Sequence, residues 1–196
     1  MLGYEFINEP WAGDIWTKPW LLINGNADKH NLQPMYEKLA DYVREVDEEH
    51  ILFFEPFQAD SSKGPVGFTQ VPGGDAYQNR STLSFHFYSP PNGNMYDHFK
   101  NRRQDMRNLK TGGLLSEFNL NFHVFDVVLV NGTTQEMQAT IDICDDYLIS
   151  WTGWEYKPFF PITGAGYSVF DADGNIKHDV LGTVSRPYAQ IVAGNT

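Results

Sequence analysis

Cysteine is almost absent from this chain: Cys144 is the one thiol in 196 residues. No internal disulfide can therefore staple the chain, and the helical apolar pattern around Cys144 predicts a small core residue. No run approaches the roughly eighteen apolar residues that cross a bilayer, and the N-terminus lacks the basic, apolar and small-residue order of a signal peptide. Cations are scarce too. Fourteen Lys and Arg stand against twenty-five Asp and Glu, a formal charge of −11, and they are scattered rather than gathered into a stripe. Such a chain repels a phosphate backbone, so nucleic acid is set aside as a partner. The six histidines are dispersed, with no His-x-x-x-His pair and no His/Cys cluster, and predict neither a metal site nor a cofactor. A Gly-x-Ser-x-Gly elbow, low-complexity linkers and internal repeats are also missing, which argues against a serine hydrolase and a repeat array.

What remains is ample for one core, because 41% of the residues are hydrophobic and 15% aromatic. Short apolar runs enriched in aromatics predict buried parallel strands over Met1–Asn8, Ile51–Phe54, Leu83–Tyr88, Gly113–Ser116 and Tyr147–Trp151. Helical spacing connects them. Leu32, Met35, Tyr36, Leu39, Val43 and Val46 form one apolar stripe with Asn31 as its N-cap; Met95, Phe99, Met106 and Leu109 form a second. In the third, Thr133 and Glu136 make a capping box before Met137, Ile141, Cys144 and Leu148. The alternation implies an α/β fold with a parallel sheet. Its strand ends, at Glu9, Glu55, Tyr88, Glu117 and Trp151, recur every 30 to 45 residues or so, close to the spacing of the units in a (β/α)8 barrel. Five strands do not close such a barrel, so the alternatives are an open sheet or the second half of an eightfold one. The acidic run Asp171-Ala172-Asp173-Gly174-Asn175 lacks the closing glutamate of a calcium loop and reads as a turn, and Arg186 to Ala193 reads as a short final helix. No second domain is evident. Asn79 and Asn131 head Asn-x-Ser/Thr sequons, which would suit a secreted protein but also arise by chance.

Two runs carry the chemistry. Tyr4-Glu5-Phe6-Ile7-Asn8-Glu9-Pro10 and Gly113-Leu114-Leu115-Ser116-Glu117-Phe118-Asn119 are each apolar and each lead into a glutamate. In a barrel all strand C-termini meet at the face that holds the active site, so Glu9 and Glu117 would project into one cleft. Hydrolysis of a glycosidic bond needs such a pair, one carboxyl protonated to assist the leaving group and the other ionised to attack. Spacing alone equally admits two structural glutamates, salt-bridged or capping a helix. Glu55, at another strand end, reads as structural. His123 and Asp126 read as parts of a surface loop. The segment Trp11 to Leu22, with Trp11, Ile15, Trp16, Trp20 and Leu21, is either an apolar lip that touches a lipid surface or a satellite core.

Ile7-Asn8-Glu9-Pro10 resembles the Asn-Glu-Pro signature of glycoside hydrolase family 5, the cellulase-like retaining barrels, and Leu115-Ser116-Glu117-Phe118 falls where that family keeps its nucleophile. His86-Phe87-Tyr88 resembles the strand-six His-x-Tyr pattern, and Trp151 the strand-eight tryptophan that floors the reactive sugar subsite. Asn8-Glu9-Pro10-Trp11-Ala12-Gly13, Asn31-Leu32-Gln33-Pro34, Trp154-Glu155-Tyr156-Lys157 and Arg186-Pro187-Tyr188 are similar to the endoglycoceramidase branch, which cleaves oligosaccharide from ceramide. The resemblance implies Glu9 as acid/base with a raised pKa, Glu117 as an ionised nucleophile, and Asn8 on the sugar 2-hydroxyl. It further implies Tyr88 holding Glu117, with His86, Trp151 and Trp11 lining the substrate. The substrate is then a glycosphingolipid or oligosaccharide, met at a membrane surface through the aromatic loops, and the parent protein is secreted, extracellular or lysosome-like.

The family's first three strands, with their arginine and histidine, are missing from this text, as is the β-sandwich that follows the barrel in endoglycoceramidases. Residues 1–196 are therefore expected to form the C-terminal half of a glycosidase (β/α)8 domain, about strands four to eight. An inactive half-barrel that binds sugar or lipid is the alternative from another class. Within enzymes the rivals are an endoglucanase and a glucosylceramide-specific β-glucosidase.

Overall fold

The computed structural model describes residues 1–58, 64–88, 92–118, 134–159 and 168–186. The Asn131 sequon, the loop residues His123 and Asp126, Thr133 of the expected capping box and the tail beyond Arg186 lie outside them. The chain divides into two compact units, Met1–Phe118 with Ile143–Thr152, and Asn119–Asp142 with Gly153–Thr196.

The first unit carries the sheet. Strands β1 (Gly3–Glu5), β2 (Ile51–Phe54), β3 (Ser81–Phe87), β4 (Gly112–Phe118) and β5 (Ser150–Trp151) lie side by side in chain order, and every neighbouring pair is parallel. That order and sense are those of a partial (β/α)8 barrel. Helix α1 (Gln33–Arg44) joins β1 to β2 and α2 (Met95–Leu109) joins β3 to β4. The β2–β3 connection has only a 3-10 turn, Gly74–Arg80, among the described residues. Period-2 alternation sorts β3: Leu83, Phe85 and Phe87 belong to one face, with Phe85 and Phe87 edge-on to Phe99 of α2, while Ser84 and His86 belong to the other.

Local polar anchors fix the corners. Arg44 at the end of α1 is buried and donates to the carbonyls of Asp47, His50 and Arg80, closing the turn into β2. Asp47 accepts from Tyr4 and from the amides of Glu49 and His50, bonds that hold its carboxyl below the usual range. Asp28 is buried and accepts from the amides of Phe57 and Gly67, tying the loop after β2 to the N-terminal end of α1. The same loop is gripped by α2, where buried Arg102 donates to Gly64 O at 2.6 Å and pairs with Asp105 at 2.9 Å. Gly25 and Gly67 approach so closely that a Cβ on Gly67 would lie 1.8 Å from the Gly25 carbonyl oxygen.

Several expected boundaries shift. Asn31 is no N-cap: a π turn over Asp28–Leu32 runs straight into α1, and the Asn31 amide donates instead to Ala12 O. Val46 lies beyond the end of α1 and is exposed. Leu148, expected on the buried stripe of α3 (Thr134–Tyr147), is 91% exposed because the helix stops at Tyr147 and Leu148 takes a left-handed φ of 56°.

In the second unit, Asp171 Oδ1 accepts from the amides of Asp173 and Asn175 inside a hairpin closed by the Phe170–Ile176 bridge. The acidic run is thus a turn whose lead carboxylate is already occupied. Helix α4 (His178–Val184) follows it. Among the described residues no helix is long and apolar enough to cross a membrane.

Candidate active site

Glu9, Glu55, His86, Tyr88 and Glu117 converge at the C-terminal ends of β1 to β4, all in the first unit. His86 is the hub. Its Nδ1 lies 3.0 Å from Glu9 Oε1 and 4.0 Å from Glu117 Oε1, and its Nε2 lies 3.5 Å from Glu55 Oε1. The ring is only 2% exposed. Glu9 and Glu117 are open to solvent, with side chains 41% and 21% exposed.

Glu117 owes its place to a bulge. Phe85 pairs with Leu115, but His86 pairs with Glu117, so Ser116 is an extra residue in β4. Strict alternation from Leu115 would put Glu117 on the helix-facing side with Phe85 and Phe87. The additional residue reverses that parity and sends Glu117 to the His86 side, while Ser116 itself bonds Ser84 Oγ at 2.6 Å on that same side. Tyr88 donates its phenol proton to Glu117 Oε1. Its backbone is held by reciprocal bonds with Asn92, 2.7 Å from Tyr88 N to the Asn92 side chain and 2.6 Å from Asn92 N to Tyr88 O.

Glu9 owes its place to a strained turn. Its φ is +48°, uncommon for a residue with a side chain, and Pro10 follows. The Glu9 amide donates to Glu55 Oε2 at 2.8 Å. Glu55 is fully buried at the end of β2, and the Tyr36 hydroxyl of α1 bonds both its amide and its carbonyl. Burial pushes the Glu55 carboxyl up to about 8; the bond from Glu9 opposes this, and the nearby charges of Glu5, Glu9 and Glu117 reinforce it. Burial likewise pushes the Tyr36 phenol up. Glu55, expected as a structural strand-end residue, thus bonds the Glu9 amide and faces the His86 ring. The signal that could have found it is its position, at a strand terminus like Glu9 and Glu117.

Other expected residues fall around this cluster. Asn8 is exposed on the turn just before Glu9. Trp11 is exposed and packs edge-on to Phe57 at 5.5 Å. Trp16 is 91% exposed, Trp20 stands edge-on to His30, and Leu22 and Ile23 are exposed, whereas Leu21 and Ala12 are buried beneath them. The segment is thus part buried and part exposed. Trp151 pairs in register with Leu115 and packs edge-on to Phe118 at 5.7 Å.

An oxygen of Glu9 and an oxygen of Glu117 lie within 4.8 Å of each other, with a His86 nitrogen equally close. These three are the described residues that could hold a cation, but His86 Nδ1 and Glu117 Oε1 already bond to Glu9 and Tyr88. Two carboxyls at that range, both reached by solvent, are also suited to working on opposite sides of one carbon atom, since retaining glycosidases place theirs about 5 to 5.5 Å apart.

The family model for Cellulase (glycosyl hydrolase family 5) matches residues 1–160. The chain is 41% identical over 203 residues to an endoglycoceramidase of Cyanea nozakii and 42% identical over 197 residues to one of Hydra vulgaris. Both alignments cover all of this chain but only 38% and 36% of those proteins, so the chain spans under two-fifths of the length of the curated relatives it matches. Endo-glycoceramidase II from Rhodococcus sp. superposes with a TM-score of 0.77 at 21% identity, over 99% of this chain and 43% of that one. That enzyme has also been solved in complex with ganglioside GM3.

Proposed function

Because the chain belongs to the cellulase family, glycosyl hydrolase family 5, we propose that it carries both catalytic carboxylates of a retaining glycosidase and supplies strands four to eight of its barrel. The observation that carries the reading is the meeting of Glu9 and Glu117 around His86, within 4.8 Å of each other. Glu9 protonates the departing oxygen while Glu117 attacks the anomeric carbon. Glu9 then takes a proton from the water that releases the sugar from Glu117. The Tyr88 phenol orients Glu117 and spreads its charge. Asn8, exposed one residue before Glu9, takes the sugar 2-hydroxyl, a bond that strengthens as charge develops at the anomeric centre.

For the substrate we infer a glycosphingolipid, cleaved between oligosaccharide and ceramide. Support comes from the 41–42% identity to two endoglycoceramidases across the full chain and from the ganglioside bound by the Rhodococcus protein. Trp11, Trp16 and Trp20 are exposed on the segment that follows Glu9 in the chain, which suits contact with an apolar aglycone at a membrane surface; for the parent protein we infer a secreted, extracellular or lysosome-like location.

The test is addition of a fluorescent glycosphingolipid to the purified chain. Released oligosaccharide that disappears in Glu117→Gln is the expected result. Binding without turnover, or turnover that survives Glu117→Gln, would overturn the reading. Faster hydrolysis of plain cello-oligosaccharides would replace the lipid substrate with a glucan.

A further inference from the structure

Glu55 makes three contacts that no strand-end glutamate needs for packing. Its Oε2 accepts the Glu9 amide, its backbone is clamped on both sides by Tyr36, and its Oε1 points to within 3.5 Å of His86 Nε2. That Oε1 is buried and has no hydrogen-bond partner as an acceptor. A protonated carboxyl there has an O–H to give, and the neighbouring acceptor is the lone pair of a neutral imidazole. We propose that Glu55 is a positioning residue of the site, holding the Glu9 peptide in its left-handed turn and fixing His86 as the Nδ1–H tautomer that donates to Glu9 Oε1. The inference rests on Glu9 being the acid/base.

The two functions need different parts of one side chain. Oε2 serves Glu9 N whether or not the carboxyl is charged. Oε1 serves His86 only while it carries the proton. Around it stand Glu5 from β1, Glu9 from the turn after β1, Tyr36 from α1, His86 from β3 and Glu117 from β4. Three carboxylates against one imidazole favour the neutral acid, as does burial, and the titration lies near 8. Above that pH, Glu55 becomes an acceptor. The imidazole proton then moves to Nε2, facing Glu55, and Nδ1 turns a lone pair toward the Glu9 carboxylate. The bond between His86 and Glu9 is lost in that state.

Glutamine copies the protonated form: its carbonyl accepts Glu9 N and its amide N–H donates to His86 Nε2, but it cannot ionise. Leucine copies only the bulk. The experiment is imidazole 15N NMR of the histidine-labelled chain through a pH titration, on wild type, Glu55→Gln and Glu55→Leu, with circular dichroism to confirm folding. Wild-type His86 is expected as Nδ1–H at neutral pH, passing to Nε2–H as Glu55 ionises near 8. Glu55→Gln should stay Nδ1–H throughout. A wild-type ring in the Nε2–H or imidazolium form at neutral pH, or a transition that persists in Glu55→Gln, overturns the proposal. This readout needs no turnover, so failure of the glycosidase reading registers separately.

Kinetics on the fluorescent glycolipid supply the second arm. Glu55→Gln should restore most of the turnover that Glu55→Leu loses and should lack the alkaline decline of kcat. Glu55→Leu should lose about 10²-fold in kcat through misplacement of Glu9. A Glu55→Gln profile with the wild-type alkaline limb sinks the assignment even if Glu55→Leu fails to fold.

Discussion

Replacing Glu55 with glutamine should change how stability depends on pH, by an amount that follows from its burial. The folded carboxyl titrates near 8 against an ordinary value of 4.5. Between those limits the folded chain keeps a proton that the unfolded chain has released. The stabilisation is therefore complete below 4.5 and is lost as pH rises toward 8. At 1.36 kcal/mol for each tenfold change in proton affinity, the loss across the window is about 5 kcal/mol, a large part of a typical domain's stability. Glutamine keeps the bond from Glu9 N and has no charge to bury, so its stability lacks this slope. Asp105, pushed up to about 6 by burial, and Glu136, also raised by burial, tilt both proteins alike. The difference between wild type and variant isolates Glu55. For a chain of this length the gap between the two melting temperatures should change by about 10–20 °C from acid to alkaline buffer, with the variant relatively more stable at high pH. Differential scanning fluorimetry across a pH series reads this directly. Parallel curves for the two proteins would refute the reasoning.

Two further substitutions probe the geometry. Tyr88→Phe removes the donor on Glu117 while leaving the Asn92 bonds to the Tyr88 backbone; kcat should fall about 10²-fold with KM and melting temperature little changed, measured on the fluorescent substrate. Deleting Ser116 removes the bulge and turns Glu117 toward the helix face, so turnover should vanish although far-ultraviolet circular dichroism still reports an α/β fold; retained turnover would show that the bulge does not place Glu117.

Much of this architecture was legible in the residues. Ile51–Phe54 is a strand of the expected length because four consecutive apolar side chains suit a strand buried on both faces. The second helix begins at Met95 behind an Asn94 cap and ends at a left-handed Lys110, within a residue of expectation. β1 is shorter than Met1–Asn8, covering only Gly3–Glu5, because the chain then turns into the left-handed Glu9. Helical period continued past the true helix ends, which is why Val46 and Leu148 were placed on buried stripes and are exposed. The pairing of Arg102 with Asp105 was hidden, since an i, i+3 pair of opposite charge normally marks a solvated face.

The site was legible in its letters and not in its orientation. Glu9, Glu117, His86 and Tyr88 stand at strand ends and in the family-like motifs. Nothing in Leu115-Ser116-Glu117 announces a bulge, and without it Glu117 faces the helices. Glu55 shows the converse limit. Its neighbours Phe53, Phe54 and Phe57 suggest packing, and only the fold reveals that its carboxyl lies under the Glu9 amide and the His86 ring.

The most direct measurement of the central claim is covalent trapping. A 2-deoxy-2-fluoro glycoside with a good leaving group should slow the release step and leave its sugar on the nucleophile, to be located by peptide mass spectrometry. The account predicts one added sugar on the peptide containing Glu117, abolished in Glu117→Gln and retained in Glu9→Gln, because a good leaving group needs no proton from Glu9. A sugar on Glu9 or Glu55, or none on the folded chain, would contradict it.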